Sequence, residues 1–222
     1  MKLIVLSGPK QSGKDTTALH IKKYIPQLKC IALADKLKNE CSQIFNIPRN
    51  FFDDQDLKEK DLGPFGYNGV VSIDKVIKLL LNFDINPRES GNSIGSLELP
   101  ILHSAREIAQ WVGTDLLRKY GNPDIHCVQL KKILSKAEKK DVFVVMDCRF
   151  PNELEFLQSF KDAVTCYIQR DIAESKVTSQ SHISEKSTQE LKNKVKYIID
   201  NNGSFEDLDS RVLKLINTTS LI

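Results

Sequence analysis

The sequence predicts a three-layer α/β fold, in which a parallel sheet lies between two layers of helices. Short apolar runs recur at residues 3–6, 142–146, 163–168 and 197–199, and helical patterns separate them. Continuous apolar runs of this length are typical of strands that are buried on both faces, as in parallel sheets. Right-handed crossovers bring the carboxyl ends of such strands to one edge of the sheet, where ligands bind.

The first strand runs directly into a glycine-rich loop. Residues 8–14 have the spacing G-x-x-x-x-G-K, and a helical pattern follows with Ala18, Ile21 and Ile25 on one face before Pro26. Such a loop presents backbone amides to phosphate at the start of a helix, whose dipole favours an anion. Strand, loop and helix together predict the phosphate-binding loop of a P-loop nucleotide-binding fold.

Individual residues of this loop suggest their own chemistry. Gly8 and Gly13 permit backbone angles that a Cβ would block, and Lys14 can bridge the terminal phosphates. The usual next residue is Ser or Thr, but here it is Asp15, with Thr16 after it. In one interpretation Asp15 acts through Mg²⁺ or a water while Thr16 supplies a hydroxyl; in the other, Asp15 only caps the helix.

The next part of the chain changes character. Residues 30–34 have the pattern of a second strand, and Asp35 starts a helical pattern that continues to about residue 45. Residues 46–100 are irregular and contain four prolines. We interpret them as an insertion near the site for the molecule that accepts a phosphate. Ser72 predicts a helix cap within this segment.

Helical patterns and strands alternate in the rest of the chain. The helical patterns cover residues 101–120, 123–138, 151–160 and about 205–216. The first of them is strongly amphipathic, and we expect a turn beside it at residues 113–115. Pro151 is well suited to the first turn of its helix.

Composition argues against several classes of protein. The 222 residues are 41% hydrophobic with a net charge of +3, which fits one globular domain rather than a protein that coats nucleic acid. The five cysteines form no C-x-x-C pair, so we expect neither zinc nor a disulfide framework, and a reducing, cytoplasmic location. No apolar run approaches the ~20 residues that span a bilayer, and the amino terminus lacks the pattern of a signal peptide.

Charged residues that follow the strands form a constellation suited to phosphoryl transfer. Asp147 is placed to hold Mg²⁺ directly or through water, and Arg149 to clamp an acceptor phosphate or the transferred group. Arg170 and the turn at residues 201–204 also follow strands. Arg106 is the arginine that we expect to grip an acceptor monophosphate in bidentate fashion.

Several collinear segments of residues 1–210 together resemble the deoxynucleoside monophosphate kinases of large bacteriophages. The matching segments are residues 6–16, 105–106, 113–117, 147–153, 181–185 and 200–208. The resembled family also carries Asp at the place of Asp15. The resemblance implies one nucleoside monophosphate kinase-like domain over residues 1–222, with a lid-like segment at 171–190. For His182 and Glu185 in that segment, a solvated or capping role is at least as good an interpretation as catalysis.

The resemblance also implies an activity, in which the γ-phosphate of ATP passes to a deoxynucleoside monophosphate with the help of Mg²⁺. The catalytic residues would be Lys14, Asp15, Asp147 and Arg149, with Asp147 and Asp15 as the metal ligands. The donor phosphates would meet Gly8, Lys10, Ser12, Gly13, Lys14, Asp15, Thr16 and Arg170. The acceptor would meet Gln11, Lys38, Arg106, Gly113, Thr114 and Asp115. The expected partner is a small nucleotide, with no nucleic acid or membrane; a homodimer stays open, and the location would be the host cytoplasm if the protein is viral.

Two other functions remain open on the sequence. A phosphomevalonate kinase of the animal type shares a G-K-D loop, and its anionic acceptor would prefer a denser basic pocket. A regulatory protein that binds ATP without turnover would need no acceptor site, so the arginines away from the loop favour an enzyme. A GTPase is unlikely, because residues 193–196 fail the base-reading pattern N-K-x-D at its last position.

Overall fold

The computed structural model describes residues 1–87 and 97–219, and the chain divides into two compact units. The first unit comprises Met1–Leu33 and Cys127–Ile222, and the second comprises Ala34–His126. Part of the predicted insertion, residues 88–96, lies outside the described residues. Among the described residues, no helix combines the length and the apolar character needed to cross a membrane.

The first unit is built on a five-stranded sheet in which all paired strands are parallel and the order is β2-β3-β1-β4-β5. The strands are β1 (Lys2–Ser7), β2 (Lys29–Ile31), β3 (Val142–Cys148), β4 (Val164–Gln169) and β5 (Tyr197–Asp200). The central strand β1 pairs with β3 at Leu3↔Phe143 and with β4 at Val5↔Thr165. The predicted α/β fold with a parallel sheet is confirmed.

Helices follow the strands as the sequence predicts. In chain order they are α1 (Lys14–Tyr24), α2 (Asp35–Phe45), α3 (Asn50–Asp53), α4 (Ile73–Asn82), α5 (Ala105–Gln110), α6 (Ile125–Leu134), α7 (Pro151–Gln158), α8 (Asp171–Glu174), α9 (Ile183–Glu190) and α10 (Phe205–Thr219). Short 3₁₀ turns lie at Gly63–Phe65 and Leu191–Asn193. The helix predicted from Asp35 has the expected bounds.

The sheet of the first unit is buried on both faces. Ile4 and Leu6 of β1 belong to an apolar cluster that includes residues of α1 and α10. Leu3 and Val5 point to the other face and join a cluster with residues of α6 and α7. Each fully buried Leu or Ile stabilises the fold by roughly 1.5–3 kcal/mol. Burial on both faces explains why the strand sequences are continuously apolar rather than alternating.

The second unit is helical and has its own apolar core. Helices α2, α4 and α5 contribute to one cluster, and Val76, Leu79 and Ile108 are fully buried in it. The predicted cap of α4 is present, because Ser72 Oγ accepts a hydrogen bond from the Lys75 amide at 3.4 Å.

Two predicted boundaries are wrong for reasons of hydrogen bonding. β2 ends at Ile31 and does not reach residue 34, since the Leu33 amide donates to Asp147 Oδ1 at 2.7 Å. The helix predicted from residue 101 begins at Ala105, because Ser104 Oγ accepts from the Glu107 amide at 3.2 Å and caps it. Two further helices end earlier than predicted, α6 at Leu134 and α7 at Gln158.

The predicted turn at residues 113–115 is also wrong. Helix α5 continues into a π-helix, Trp111–Arg118, that contains these residues. Gly113 is buried within it, and a Cβ there would lie only 2.8 Å from Leu37 Cδ2. Glycine at this position therefore permits close packing of helices rather than a turn.

Candidate active site

The loop between β1 and α1 curls around the side chain of Lys14. Its Nζ donates hydrogen bonds to the carbonyl oxygens of Gly8 at 2.7 Å and Pro9 at 2.8 Å. Gly8 and Gly13 have φ angles of 137° and 97°. A Cβ at Gly8 would lie 2.7 Å from the Ile168 carbonyl oxygen of β4. The predicted need for glycine at both positions is confirmed by these backbone angles.

Four other charged groups surround Lys14. The pKa of the Lys14 ammonium is lowered to about 8, mainly by burial and secondly by the Arg149 guanidinium. The carboxylates of Glu185, Asp15 and Asp147 act in the opposite direction on this pKa. Two cations and three carboxylates therefore lie near one another at the phosphate-binding loop.

Two hydrogen bonds to carboxylates fix Arg149 beside the phosphate-binding loop. Its Nη1 donates to Glu185 Oε1 at 2.6 Å, and its backbone amide donates to Glu153 Oε2 at 2.8 Å. Burial opposes the charge of Arg149, but the Glu185 and Asp147 carboxylates outweigh it and raise the pKa of the guanidinium. The residue predicted to meet phosphate is thus a firmly placed cation beside the loop.

Glu185 is a member of this site that the predicted set of site residues does not contain. It lies in the first turn of α9, and its Oε2 accepts a hydrogen bond from the loop amide of Lys10 at 3.2 Å. The capping interpretation holds for His182, whose Nδ1 accepts from the Ser184 amide at 3.2 Å. In the sequence, Glu185 could have been found from its position in residues 181–185, a segment that resembles the kinase family.

The other side of the loop is fastened by residues that follow β4 and β5. Arg170 Nη1 donates to the Gln11 carbonyl oxygen at 3.3 Å, and Lys176 Nζ donates to Gln11 Oε1 at 2.9 Å. Asn201 Nδ2 donates to the carbonyl oxygen of Ser12 at 2.8 Å. Gln11 therefore lies with donor-side residues in the first unit. Lys176 and Asn201 were not among the predicted site residues.

The remaining predicted acceptor residues belong to the second unit. Arg106 Nε lies 3.3 Å from Glu59 Oε1, and Lys38 Nζ donates to Asp53 Oδ1 at 3.0 Å. Arg49, which the prediction omits, places its Nη2 3.0 Å from the same Asp53 oxygen. Lys38 and Arg49 are thus held together by one carboxylate.

Two predicted acceptor residues lie on the π-helix of the same unit. Asp115 is exposed and Thr114 is half-buried, next to the buried Gly113. Stretches of π-helix are rare and frequently occur at functional sites. The π-helix therefore contains the three residues, Gly113, Thr114 and Asp115, that the resemblance assigns to the acceptor.

The family model for deoxynucleotide monophosphate kinase matches residues 93–212, which is more than half of the 222 residues. The chain belongs to the deoxynucleotide monophosphate kinase family. This kinase membership confirms the resemblance found in the motifs and makes the chain a nucleotide kinase, that is, a phosphotransferase. No curated protein matches the chain.

Solved structures that are similar to this chain include one from Thermus thermophilus and one from Campylobacter jejuni. TT1252 from Thermus thermophilus has a TM-score of 0.48 and 16% identity, covering 97% of this chain and 96% of that one. Dephospho-CoA kinase from Campylobacter jejuni has a TM-score of 0.43 and 17% identity, covering 98% and 97%.

The carboxylates of the kinase fit a phosphate-bound Mg²⁺. Within residues 1–87 and 97–219, no three or more His, Cys, Asp or Glu side chains gather as a metal-binding cluster. Such a cluster is not needed, because Mg²⁺ in kinases keeps several waters and binds one or two carboxylates together with substrate phosphates. Asp15 and Asp147 both act on the pKa of Lys14, so both lie near the loop where those phosphates would bind.

Proposed function

We propose that this kinase transfers the γ-phosphate of ATP to a deoxynucleoside monophosphate, which gives the diphosphate and ADP. The main support is the pair of cations, Lys14 and Arg149, beside a loop that follows a central parallel strand. Phosphoryl transfer depends on positioning and charge neutralisation rather than on covalent chemistry by the protein. The loop can position the phosphates, and the two cations can neutralise their charge. Membership of the deoxynucleotide monophosphate kinase family favours a deoxynucleotide as acceptor.

In this proposal, residues 8–16 bind the donor phosphates of ATP. Lys14 exchanges its hydrogen bonds to the Gly8 and Pro9 carbonyl oxygens for bonds to the β- and γ-phosphates. Arg170 contributes from the far side of the loop. Asp15 and Asp147 hold Mg²⁺, which when bound neutralises negative charge on the transferring phosphoryl group.

The acceptor monophosphate is assigned to the second unit, with Arg106 as its main cation. Lys38, Gly113, Thr114 and Asp115 complete that side, and Gln11 of the loop in the first unit is the remaining residue that we assign to the acceptor. A guanidinium suits a phosphate because it donates two parallel hydrogen bonds. We further propose that residues 46–100 form the acceptor side and that residues 171–190 act as a lid. A cytoplasmic location and a homodimer stay predictions.

The decisive experiment measures ADP release from Mg-ATP by the purified protein. The acceptors are the four deoxynucleoside monophosphates, AMP, GMP, CMP, UMP and phosphomevalonate. Turnover with one or more deoxynucleotides supports the proposal and defines base selectivity. Turnover with phosphomevalonate alone makes the protein a small-molecule kinase of another type. ATP binding without transfer to any acceptor supports the regulatory alternative.

A further inference from the structure

Glu185 brings a buried negative charge to a site built for phosphates. Glu185 is only 7% exposed to solvent. Oε1 pairs with Arg149 Nη1 at 2.6 Å, and Oε2 accepts from the Lys10 amide of the loop at 3.2 Å. A carboxylate this close to the loop repels a phosphate directly, so its value to the site must come through the groups that it holds.

The hydrogen bonds of Arg149 show what the carboxylate does. Nη1 points to α9, where it meets Glu185 and, at 3.5 Å, Ser184 Oγ. Within the described parts of the chain, Nε and Nη2 of Arg149 donate no hydrogen bond. One edge of the guanidinium is therefore fixed, and the other two donors are available to an anion. Arg149 also lies close enough to Lys14 to lower its pKa.

The backbone of α9 gives Glu185 a defined position. The helix is capped by His182, and Thr188 Oγ1 donates to the Glu185 carbonyl oxygen at 2.6 Å. Ser184, Ser187 and Thr188 are buried on the same helix. An arginine side chain loses rotamer entropy when it is immobilised, and a fixed carboxylate partner removes this freedom before the substrate arrives.

We propose that Glu185 is a positioning residue for phosphoryl transfer. It holds Arg149 by Nη1, leaves Nε and Nη2 for the transferring phosphate, and ties the guanidinium to the loop through the Lys10 amide. This inference rests on the proposed function, since it assigns a second residue to the same reaction. Glu185 itself touches neither nucleotide.

A double-mutant cycle between the two residues tests the inference. The proteins are wild type, Arg149→Ala, Glu185→Ala and the double variant, with Glu185→Gln as the isosteric change. We expect Glu185→Ala to lower kcat about 10–100-fold and Glu185→Gln to lower it less, because Gln keeps an oxygen for Arg149. If Glu185 acts through Arg149, the double variant is no slower than Arg149→Ala. Losses that multiply in the double variant, or an unchanged kcat in Glu185→Ala, overturn the inference.

Two controls separate positioning from folding. Glu155→Gln changes an exposed acid on α7, outside the proposed lid, and should leave kcat unchanged. Melting temperatures of all variants show whether the protein is folded at the assay temperature. A loss of kcat in Glu185→Gln that merely follows a loss of folded protein contradicts positioning.

A binding readout keeps the inference independent of the acceptor. The same four proteins of the cycle are titrated with ATP and with ADP by calorimetry. We expect Arg149→Ala, Glu185→Ala and the double variant to lose the preference for ATP over ADP to a similar extent, with ADP affinity unchanged. If wild type phosphorylates no acceptor, the proposed function fails, and this titration still decides the role of Glu185. An intact preference for ATP in Glu185→Ala refutes that role.

Discussion

The side-chain amide of Asn201 fills the space beside Gly13 where any other residue at position 13 would place its Cβ. Asn201 Nδ2 donates to the Ser12 carbonyl oxygen at 2.8 Å and would lie closer to a Cβ on Gly13 than real Cβ contacts allow. Gly13 also has a φ of 97°. A Cβ at position 13 would therefore strain the backbone and displace the Asn201 amide from its hydrogen bond to the loop.

Gly13→Ala should damage the site more than a comparable change elsewhere. Gly66 is a matched control, because its φ is 84° but a Cβ there would meet no atom of the described residues within 4 Å. We expect Gly66→Ala to cost roughly 1 kcal/mol of unfolding free energy from backbone strain alone. Gly13→Ala should cost more and weaken ATP binding at least about 10-fold. Urea unfolding and ATP titration measure both effects; equal losses in the two variants contradict the role of Asn201.

Lys14→Ala should abolish nearly all kinase turnover and leave the fold intact. The side chain is the cation at the centre of the loop, and its hydrogen bonds go to two carbonyl oxygens of the same loop, those of Gly8 and Pro9. We expect kcat to fall at least about 1,000-fold, since the charge on the transferring phosphate then lacks its nearest partner. Steady-state kinetics and circular dichroism provide the measurements. Lys22→Ala, an exposed lysine of the same helix, is the control; normal turnover in Lys14→Ala rejects the phosphate-loop interpretation.

Arg106→Ala should affect the acceptor and not ATP. Its guanidinium lies beside Glu59 in the second unit, whereas the loop residues lie in the first. We expect the KM of the acceptor to rise or kcat to fall about 10–100-fold, with ATP affinity within about 2-fold of wild type. Glu59→Gln, which removes only the neighbouring charge, is the control. A collapse of ATP affinity in Arg106→Ala would mean that the donor and acceptor assignments are reversed.

His126 should make the protein less stable in acid. The pKa of its imidazole is lowered to about 4, mainly by burial and secondly by Arg118, while a hydrogen bond to the Gly113 backbone acts in the opposite direction. An unfolded histidine titrates near about 6.5, so between pH 6.5 and 4 the unfolded chain binds a proton that the folded protein does not. Stability from this group is therefore full above pH 6.5 and falls by roughly 3 kcal/mol as the pH drops to about 4.

Urea unfolding of wild type and His126→Gln at pH 7.5 and 4.5 checks this expectation. The variant should lose less stability between the two pH values than wild type, because it has no proton to bind. His103→Gln is the control, since His103 is exposed. An identical pH dependence in wild type and His126→Gln shows that another group causes the acid sensitivity.

Much of the fold could be predicted because its determinants are local. The apolar run that became β1, the helix that starts at Asp35 and the cap at Ser72 each depend on a few neighbouring residues. The glycines of the loop were predicted for the same reason, since backbone angles are a property of single residues. Asp147 and Arg149 followed from the rule that parallel strands present their carboxyl ends to the ligand.

Other parts of the site could not be predicted, because they depend on contacts that are distant in the sequence. The hydrogen bond between Lys10 and Glu185 joins residues that are 175 positions apart. Arg49 lies in a segment without a transferable motif, and its partner Asp53, four residues away, meets Lys38 across 15 positions of the chain. The π-helix at Trp111–Arg118 reflects a choice of hydrogen-bond register that side-chain periodicity does not reveal.

The order of strands in the sheet has a consequence for synthesis on the ribosome. β1 is made first, but its partners β3 and β4 begin only at Val142 and Val164. The second unit, Ala34–His126, is a continuous segment and is complete before either partner emerges. At about 5–20 residues per second, β1 waits roughly 7–30 s for β3. During that interval the apolar residues of β1 have neither neighbouring strand to pair with, so we expect chaperones to shield them.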